Sequence, residues 1–413
     1  MATQPKHDVI IIGAGIIGLA IAHYVQQTGR KVTLVDRKGV AQEASLGNAG
    51  AFALADIFPL ASPGIMRKAP KWLLDPLGPL SVRPQYALNI VPYLLKFFRA
   101  SWPGQYRKSI VAQSALLDLS ASEVDRMAQI PQIGNQIRTD GALHLYESER
   151  EFAASQSSWK ARQEFGIEFE HLDATRLADL QPGLSSHIKR ATFIPKWQTV
   201  NDPFEFAQTL WRMVQQDGGE LIEQDVKAIS KAGEVMLANG DMLSGNHVVV
   251  AAGAWSHQLA KQVGDKIPLE SERGYNTTLP VEAFDLRRQL IFGEHGFVMT
   301  PLSTGIRVGG AVEFAGLDAA PNYKRSEIML QKAKRFMPDL KTEQGTQWMG
   351  FRPSLPDTLP AIGKSAHTPN VSYAFGHGHL GLTQCFATGK LMAELIDGQT
   401  PSLDLTPFNP SRF

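Results

Sequence analysis

The segment DVIIIGAGIIGLAIAHYVQQTGRKVTLVDR, Asp8–Arg37, constrains this chain more than any other. Val9–Ile12 is a short β-branched run suited to a strand buried on both faces. Gly13, Gly15 and Gly18 follow as G-x-G-x-x-G, and Ile16–Gln27 carries apolar residues at helical intervals. Gly29 ends that helix, Lys31–Val35 reads as a second strand, and Asp36 closes it. The spacing has a physical cause. Gly13 allows a tight turn, Gly15 lets a pyrophosphate reach the backbone, and Gly18 lets helix and strand pack closely. The helix N-terminus offers unpaired N–H groups and the positive end of its dipole to phosphate. Asp36 stands 18 residues after Gly18, where a carboxylate accepts hydrogen bonds from an adenosine ribose. A carboxylate there disfavours a 2′-phosphate, despite the neighbouring Arg37. The segment predicts a dinucleotide site without choosing between NAD and FAD.

A length of 413 residues predicts two or three domains around a large core. Hydrophobic and charged fractions of 43% and 20% are those of an ordinary globular chain, and a net charge of +1 gives no reason to expect nucleic acid. Cys385 stands alone, which excludes an intrachain disulfide and points to a reducing, cytoplasmic compartment. Val9–Ala22 is too short to span a bilayer and holds three glycines, so the strand–turn–helix unit accounts for it better than a signal peptide does. The sequence shows no transmembrane helix, no repeat and no His/Cys/Asp cluster with metal-ligand spacing.

Beyond Asp36, the small residues Ala44–Ala51 suit either a backbone passing close to a bulky ligand or a flexible surface loop. Asp56–Trp102 is rich in proline and aromatics, and its apolar residues alternate irregularly with Arg67, Lys68, Lys71, Lys96 and Arg99. It reads as a lid packed on the body or as an amphipathic surface that rests on a membrane. Helices are expected at Ser109–Met127, Ala154–Phe165, Ala174–Leu180 and Tyr323–Met337, and at Phe204–Asp217 with Asp202 as N-cap. Strands are expected at Gly141–Tyr146, Ala191–Pro195, Glu220–Glu223, Asp225–Ser230 and through Leu290–Val312. His247–Ala251 is a buried strand that runs into AGAWS, and Val371–Phe375 runs into GHGHLGLT, Gly376–Thr383, before a closing helix through Ile396. That last junction presents N–H groups near a helix start. A reduced flavin, anionic on its pyrimidine side, needs such a positive end; a simple NAD domain does not.

VIIIGAGIIGLAIA with VDR, ASLGNAG, VVVAAGAWS, RGYN, GFRPSLPDTLPAIG and GHGHLGLT together resemble the FAD-dependent D-amino-acid oxidase superfamily. Within it they are most similar to bacterial D-amino-acid dehydrogenases and their D-hydroxyproline-oxidising relatives. The resemblance spans nearly the whole chain. It implies an α/β fold: a discontinuous Rossmann-like FAD domain (1–55, 201–264 and 351–413) and an α+β substrate domain with a large, mostly antiparallel sheet (56–200 and 265–350). Segment 56–102 is then a lid or a docking segment for membrane or acceptor.

Carried over by motif, Gly13, Gly15, Ile17, Gly18, Asp36 and Arg37 look like the dinucleotide turn and ribose contacts. Ser45, Asn48, Ala49 and Gly50 look like the loop beside the flavin, Val226 the adenine contact, and Ala252 with Gly253 a second cofactor contact. Gly378, His379, Leu380, Gly381, Leu382 and Thr383 look like the cover over the flavin's pyrimidine end. Arg352 looks like the clamp for a substrate carboxylate, with a structural salt bridge as its alternative, and Tyr275 and His379 are further catalytic candidates. Two positions depart from the family pattern: Ala252 replaces a common threonine, and Asp36 a common glutamate. No His or Cys occupies a motif position that implies a covalent flavin, so FAD is expected to be non-covalent.

The implied reaction is oxidation of a D-amino acid by hydride transfer from Cα to flavin N5, with electrons passed to a quinone or another acceptor. The chain would then be cytoplasmic, with peripheral contact at the inner face of the membrane. The alternatives are an O₂-using oxidase of glycine or secondary amines, and a flavoprotein that only relays electrons. An aromatic-ring monooxygenase is disfavoured, because the late cofactor segment reads Gly376-His377-Gly378-His379 where such enzymes place a Gly-Asp pair.

Overall fold

In the computed structural model, residues 7–65 and 80–413 are described. Arg67, Lys68, Lys71 and Trp72, four members of the basic and aromatic segment, lie outside them.

Two sheets organise the described residues. The first has six strands in the order Glu220–Glu223, Val32–Asp36, His7–Ile12, Gly245–Val250, Val371–Phe375 and Ala361–Lys364. The first five run parallel and the last is antiparallel. His7–Ile12 sits in the middle, with Val9, Ile10 and Ile11 fully buried, as its β-branched run requires. The helices Ile16–Gln26, Pro203–Gln216 and Gly381–Ile396 pack into one apolar cluster with these strands. A side chain at Gly389 would meet the Ala20 carbonyl at 2.8 Å, so this glycine lets the last helix approach the first.

The second sheet has nine strands. Thr346–Ser354, Glu270–Leu279, Gly305–Phe314, Phe297–Leu302, Gln289–Phe292, Ala142–Tyr146, Arg190–Ile194 and Glu170–Leu172 follow in order, and Leu80–Val82 lies beside Gly305–Phe314. Most of its pairs are antiparallel; Ala142–Tyr146 with Gln289–Phe292 and Leu80–Val82 with Gly305–Phe314 are parallel. The helix Lys324–Phe336 covers one of its faces through Met329, Ala333 and Phe336. The α/β class with a large antiparallel sheet, expected from the sequence, is the fold observed.

Several element ends follow local chemistry closely. Asp202 caps its helix by accepting from the N–H groups of Phe204 and Glu205 at 2.9 and 3.0 Å, with Pro203 at the first position. Pro103 likewise opens a helix that runs to Ala128 and starts six residues before the predicted Ser109. Val91–Ala100, irregular by sequence pattern, is a helix.

Candidate active site

The glycine turn after His7–Ile12 opens onto a cleft of about 270 Å³. Gly13, Gly15, Ile17, Asp36, Arg37, Ser45, Asn48, Val226, Ala252, Gly253, Gly378, Gly381 and Leu382 all line it, from segments far apart in the chain. Gly18 does not; it serves the packing beneath. A side chain there would meet the Gly13 carbonyl oxygen at 1.9 Å. Gly15 differs. Its φ of −74° suits any residue, and a Cβ would meet only the Ser45 hydroxyl, at 3.3 Å. This glycine keeps space clear for a ligand, which is the fit a pyrophosphate needs.

Asp36 is tied into the turn. Its carboxylate accepts from the N–H groups of Ala14 at 2.8 Å and Lys38 at 2.9 Å. Burial pushes its carboxyl above the usual range, against the pull of those two amides. Arg37 lies over the Trp255 ring, 3.7 Å from its centre, and pairs with Glu43. Arg37, Trp255 and Val226 all line the cleft.

The loop 45–50 is held from two sides. The Ser45 hydroxyl accepts from Ile16 N–H at the start of the first helix, at 3.0 Å. From the nine-stranded sheet, Asn276 Nδ2 donates to the Gly47 carbonyl at 2.9 Å and Arg307 to the Asn48 carbonyl at 2.6 Å. Asn48 Oδ1 accepts from Gly50 N–H at 2.7 Å. Ala49 and Gly50 do not line the cleft.

Strand register then decides which residues face this loop. Glu272 pairs with Arg352, Gly274 with Gly350, and Asn276 with Trp348, so these six share a face. Trp348 lies against Gly47, and Asn276 bonds to it, so that face looks onto the loop. The Arg352 guanidinium rests over Gly274: an ideal Cβ at Gly274 would stand 2.5 Å from its Cζ. Arg352 Nη1 donates to the Ala311 carbonyl at 3.1 Å, and Ala311 holds a left-handed φ of 57° beside a register shift. Burial pulls the Arg352 pKa down, opposed by the charge of Glu272. Glu272 is itself buried, and burial pushes its carboxyl up.

Tyr275 has the opposite parity. Its hydroxyl donates to Glu313 at 2.6 Å and accepts from Asn322 N–H at 3.1 Å, on the side covered by Lys324–Phe336. The structure does not bring Tyr275 to the cleft, and Arg352 does not line it either; from this strand pair the lining includes Phe351 and Pro353, the neighbours of Arg352. In RGYN it is Gly274 and Asn276 that face the loop. Glu272, Asn276, Arg307 and Trp348 went unnoticed in the sequence; only the pairing of strands groups them.

The cover segment divides its residues. Gly378, Gly381 and Leu382 line the cleft, beside the start of Gly381–Ile396. Leu380 and His379 line a smaller cavity with Phe58, Leu60 and Ser354, separated from the cleft by His377 and Gly378, which border both. His379 Nε2 stands 2.9 Å from Asp56 Oδ2. Burial would raise the Asp56 pKa, but that hydrogen bond and the charges of His379 and Arg162 bring it below the usual range. Thr383 Oγ1 accepts from Ala53 N–H at 3.0 Å and so anchors the helix to the strand Ala51–Phe52. His377 bonds to Thr388 at 3.0 Å, and burial pulls its pKa down to about 3. Cys385 is wholly buried.

A Rossmann-type turn, a cleft reaching from Val226 to a second helix start, and a large sheet set against it define a flavin-dependent oxidoreductase. The chain belongs to the DAO family of FAD dependent oxidoreductases, whose sequence profile matches residues 8–395. It is 33% identical to a D-amino-acid oxidase of Bradyrhizobium diazoefficiens, over 98% of each chain. It is 29% identical to a D-amino acid dehydrogenase of Vibrio cholerae, over 95% of this chain and 96% of the relative. Glycine oxidase from Geobacillus kaustophilus has the same fold, with a TM-score of 0.78 at 21% identity over 99% of this chain and 100% of the other.

Proposed function

We propose that this FAD-dependent enzyme oxidises the amine of a D-amino acid, D-proline and hydroxy-D-proline types included, by hydride transfer from Cα to flavin N5. The product is an imine, or the 2-oxo acid after hydrolysis, and the electrons pass to a quinone-type acceptor. Such an acceptor would hold the protein against the inner face of the cytoplasmic membrane.

One observation carries the substrate class. The Arg352 guanidinium is seated in a glycine gap on the sheet face that looks onto loop 45–50. A guanidinium there grips a carboxylate through two parallel hydrogen bonds and fixes which face of Cα is presented. An amine that binds neutral needs no strong base, since its lone pair assists loss of hydride. The names of the two relatives support an amino-acid substrate.

The residues that line the cleft would hold FAD, which supplies the hydride acceptor. Gly15 and the start of the first helix would meet its pyrophosphate, and Asp36 its ribose. The start of Gly381–Ile396 would face the pyrimidine end, where its dipole favours negative charge. Assignment of 1–55, 201–264 and 351–413 to cofactor binding belongs to the same proposal; all strands of the six-stranded sheet fall in those intervals.

The test is an anaerobic absorbance titration of the purified protein with D-proline, cis-4-hydroxy-D-proline, D-alanine and their L-forms. Bleaching of the flavin band by D-forms alone is the expected result, and a flavin band that no amino acid bleaches would sink the substrate assignment. The name of the Bradyrhizobium relative favours a second reading, in which O₂ takes the electrons. Admitting air separates the two: rapid reoxidation with peroxide marks an oxidase, and slow reoxidation that a quinone accelerates marks a dehydrogenase.

A further inference from the structure

The helix Val91–Ala100 is apolar on two sides. Inward, Ile90 and Tyr93 are buried with Phe314, and Leu94 and Phe97 pack beside them. Outward, Leu88, Val91, Leu95, Phe98 and Trp102 follow at intervals of three and four, with 86%, 43%, 64%, 45% and 53% of their surfaces exposed. Scattered exposed apolar residues are normal; three on one face of a helix, Val91, Leu95 and Phe98, flanked by Leu88 in the turn before it and Trp102 just after it, are not. An ordinary surface helix gives that face to charged or polar groups.

The charges around the stripe say what covers it. Lys96 and Arg99 are exposed on the same helix, Arg107 and Lys108 on the first turns of the next, and none of the four makes an ion pair among the described residues. From Arg83 to Leu117 the sequence contains no Asp or Glu. Phe98 and Trp102 meet edge to face, with ring centres 6.3 Å apart, at the end nearer these cations. A second copy of the chain docking on this face would bring the same cations against their like, which opposes association.

We propose that the stripe Leu88–Trp102 docks the protein on an anionic lipid bilayer. The apolar side chains enter the acyl boundary, Trp102 sits at headgroup depth, and the four cations meet the lipid phosphates. A helix of ten residues lies in the plane of the interface and cannot cross it. This deepens the membrane part of the function proposed above by naming the surface, and it is independent of which amine is oxidised.

The experiment is vesicle co-sedimentation of the FAD-loaded protein, with phosphatidylcholine alone and with phosphatidylglycerol added. Wild type is expected to sediment with the anionic vesicles and to stay in solution with the neutral ones. Lys96→Gln with Arg99→Gln is expected to weaken binding roughly fivefold for each cation removed. Leu95→Ser with Phe98→Ser is expected to weaken it at least about tenfold. Both double variants should keep full flavin content and wild-type reduction of a soluble dye by substrate. Failure of wild type to bind, equal binding to neutral vesicles, or binding that neither double variant weakens would overturn the proposal. So would a wild-type dimer that Leu95→Ser with Phe98→Ser converts to monomer, since the stripe would then belong to a second copy. Vesicle binding as expected with no flavin bleaching by any amino acid would instead reject the proposed reaction and leave the docking surface standing.

Discussion

Arg352→Met is expected to leave FAD content unchanged and to lower kcat/KM for D-amino acids roughly hundredfold to ten-thousandfold, the loss of two charge-assisted hydrogen bonds at about 1.5–3 kcal/mol each. Most of the loss should appear in KM if the clamp grips substrate and transition state alike, and in kcat if it sets the approach of Cα. Gly274→Ala probes the same contact without removing the charge. A Cβ at Gly274 would stand 2.5 Å from Arg352 Cζ and from Nη2. The far end of a long side chain gives way more readily than backbone, so the fold should hold while the guanidinium is pushed off its seat. KM is expected to rise at least about tenfold, with thermal stability and flavin content near wild type. If Gly274→Ala leaves KM alone, or if Arg352→Met keeps wild-type kinetics, Arg352 is a structural cation and the carboxylate clamp lies elsewhere.

The sequence announces some of these features and hides others for physical reasons. The first strand, turn and helix are legible because a buried parallel strand needs an unbroken apolar run and the turn needs its glycines. Asp202 and Pro203 mark their helix to within a residue, since cap chemistry is local. Glu270–Leu279, ESERGYNTTL, gives no strand signal. It is polar almost throughout, yet Glu272, Arg273, Asn276 and Thr277 are each at most 5% exposed. Asn276 bonds to loop 45–50 and Arg273 to the carbonyls of Gly316 and Ala320, both distant in sequence, so the strand becomes visible only once the sheet is assembled. Parity within it is hidden for the same reason, which is why Tyr275 attracted notice and Gly274 did not. Val91–Ala100 is harder to read because exposed apolar residues stand beside its buried ones and blur which face is inward. Asp56 and His379 are 323 residues apart, and nothing in either local sequence predicts their contact.

Gly13 and Gly15 look alike in the motif, and the structure separates them. Gly13→Ala is expected to damage the protein itself. Its φ of 112° is foreign to L-residues, and a Cβ would meet the backbone carbonyl oxygen of Ala251 at 2.3 Å. Neither strand can give way without disturbing the centre of the six-stranded sheet, so a loss of about 3 kcal/mol or more is expected, read as a lower melting temperature with or without FAD. Gly15→Ala should leave the apoprotein intact. Its backbone already sits at φ −74° and ψ 176°, and the nearest atom to a new methyl group is the Ser45 hydroxyl at 3.3 Å. Restricting the unfolded chain could even stabilise the apoprotein by about 0.4–1 kcal/mol. The methyl group would instead occupy the approach kept for a pyrophosphate. FAD affinity is therefore expected to fall about a hundredfold, equivalent to about 2.7 kcal/mol, measured by titrating apoprotein with FAD. A Gly15→Ala variant that binds FAD as tightly as wild type would mean that the pyrophosphate does not pass over this turn. One that fails to fold without FAD would mean that Gly15, like Gly13, serves the fold and not the ligand.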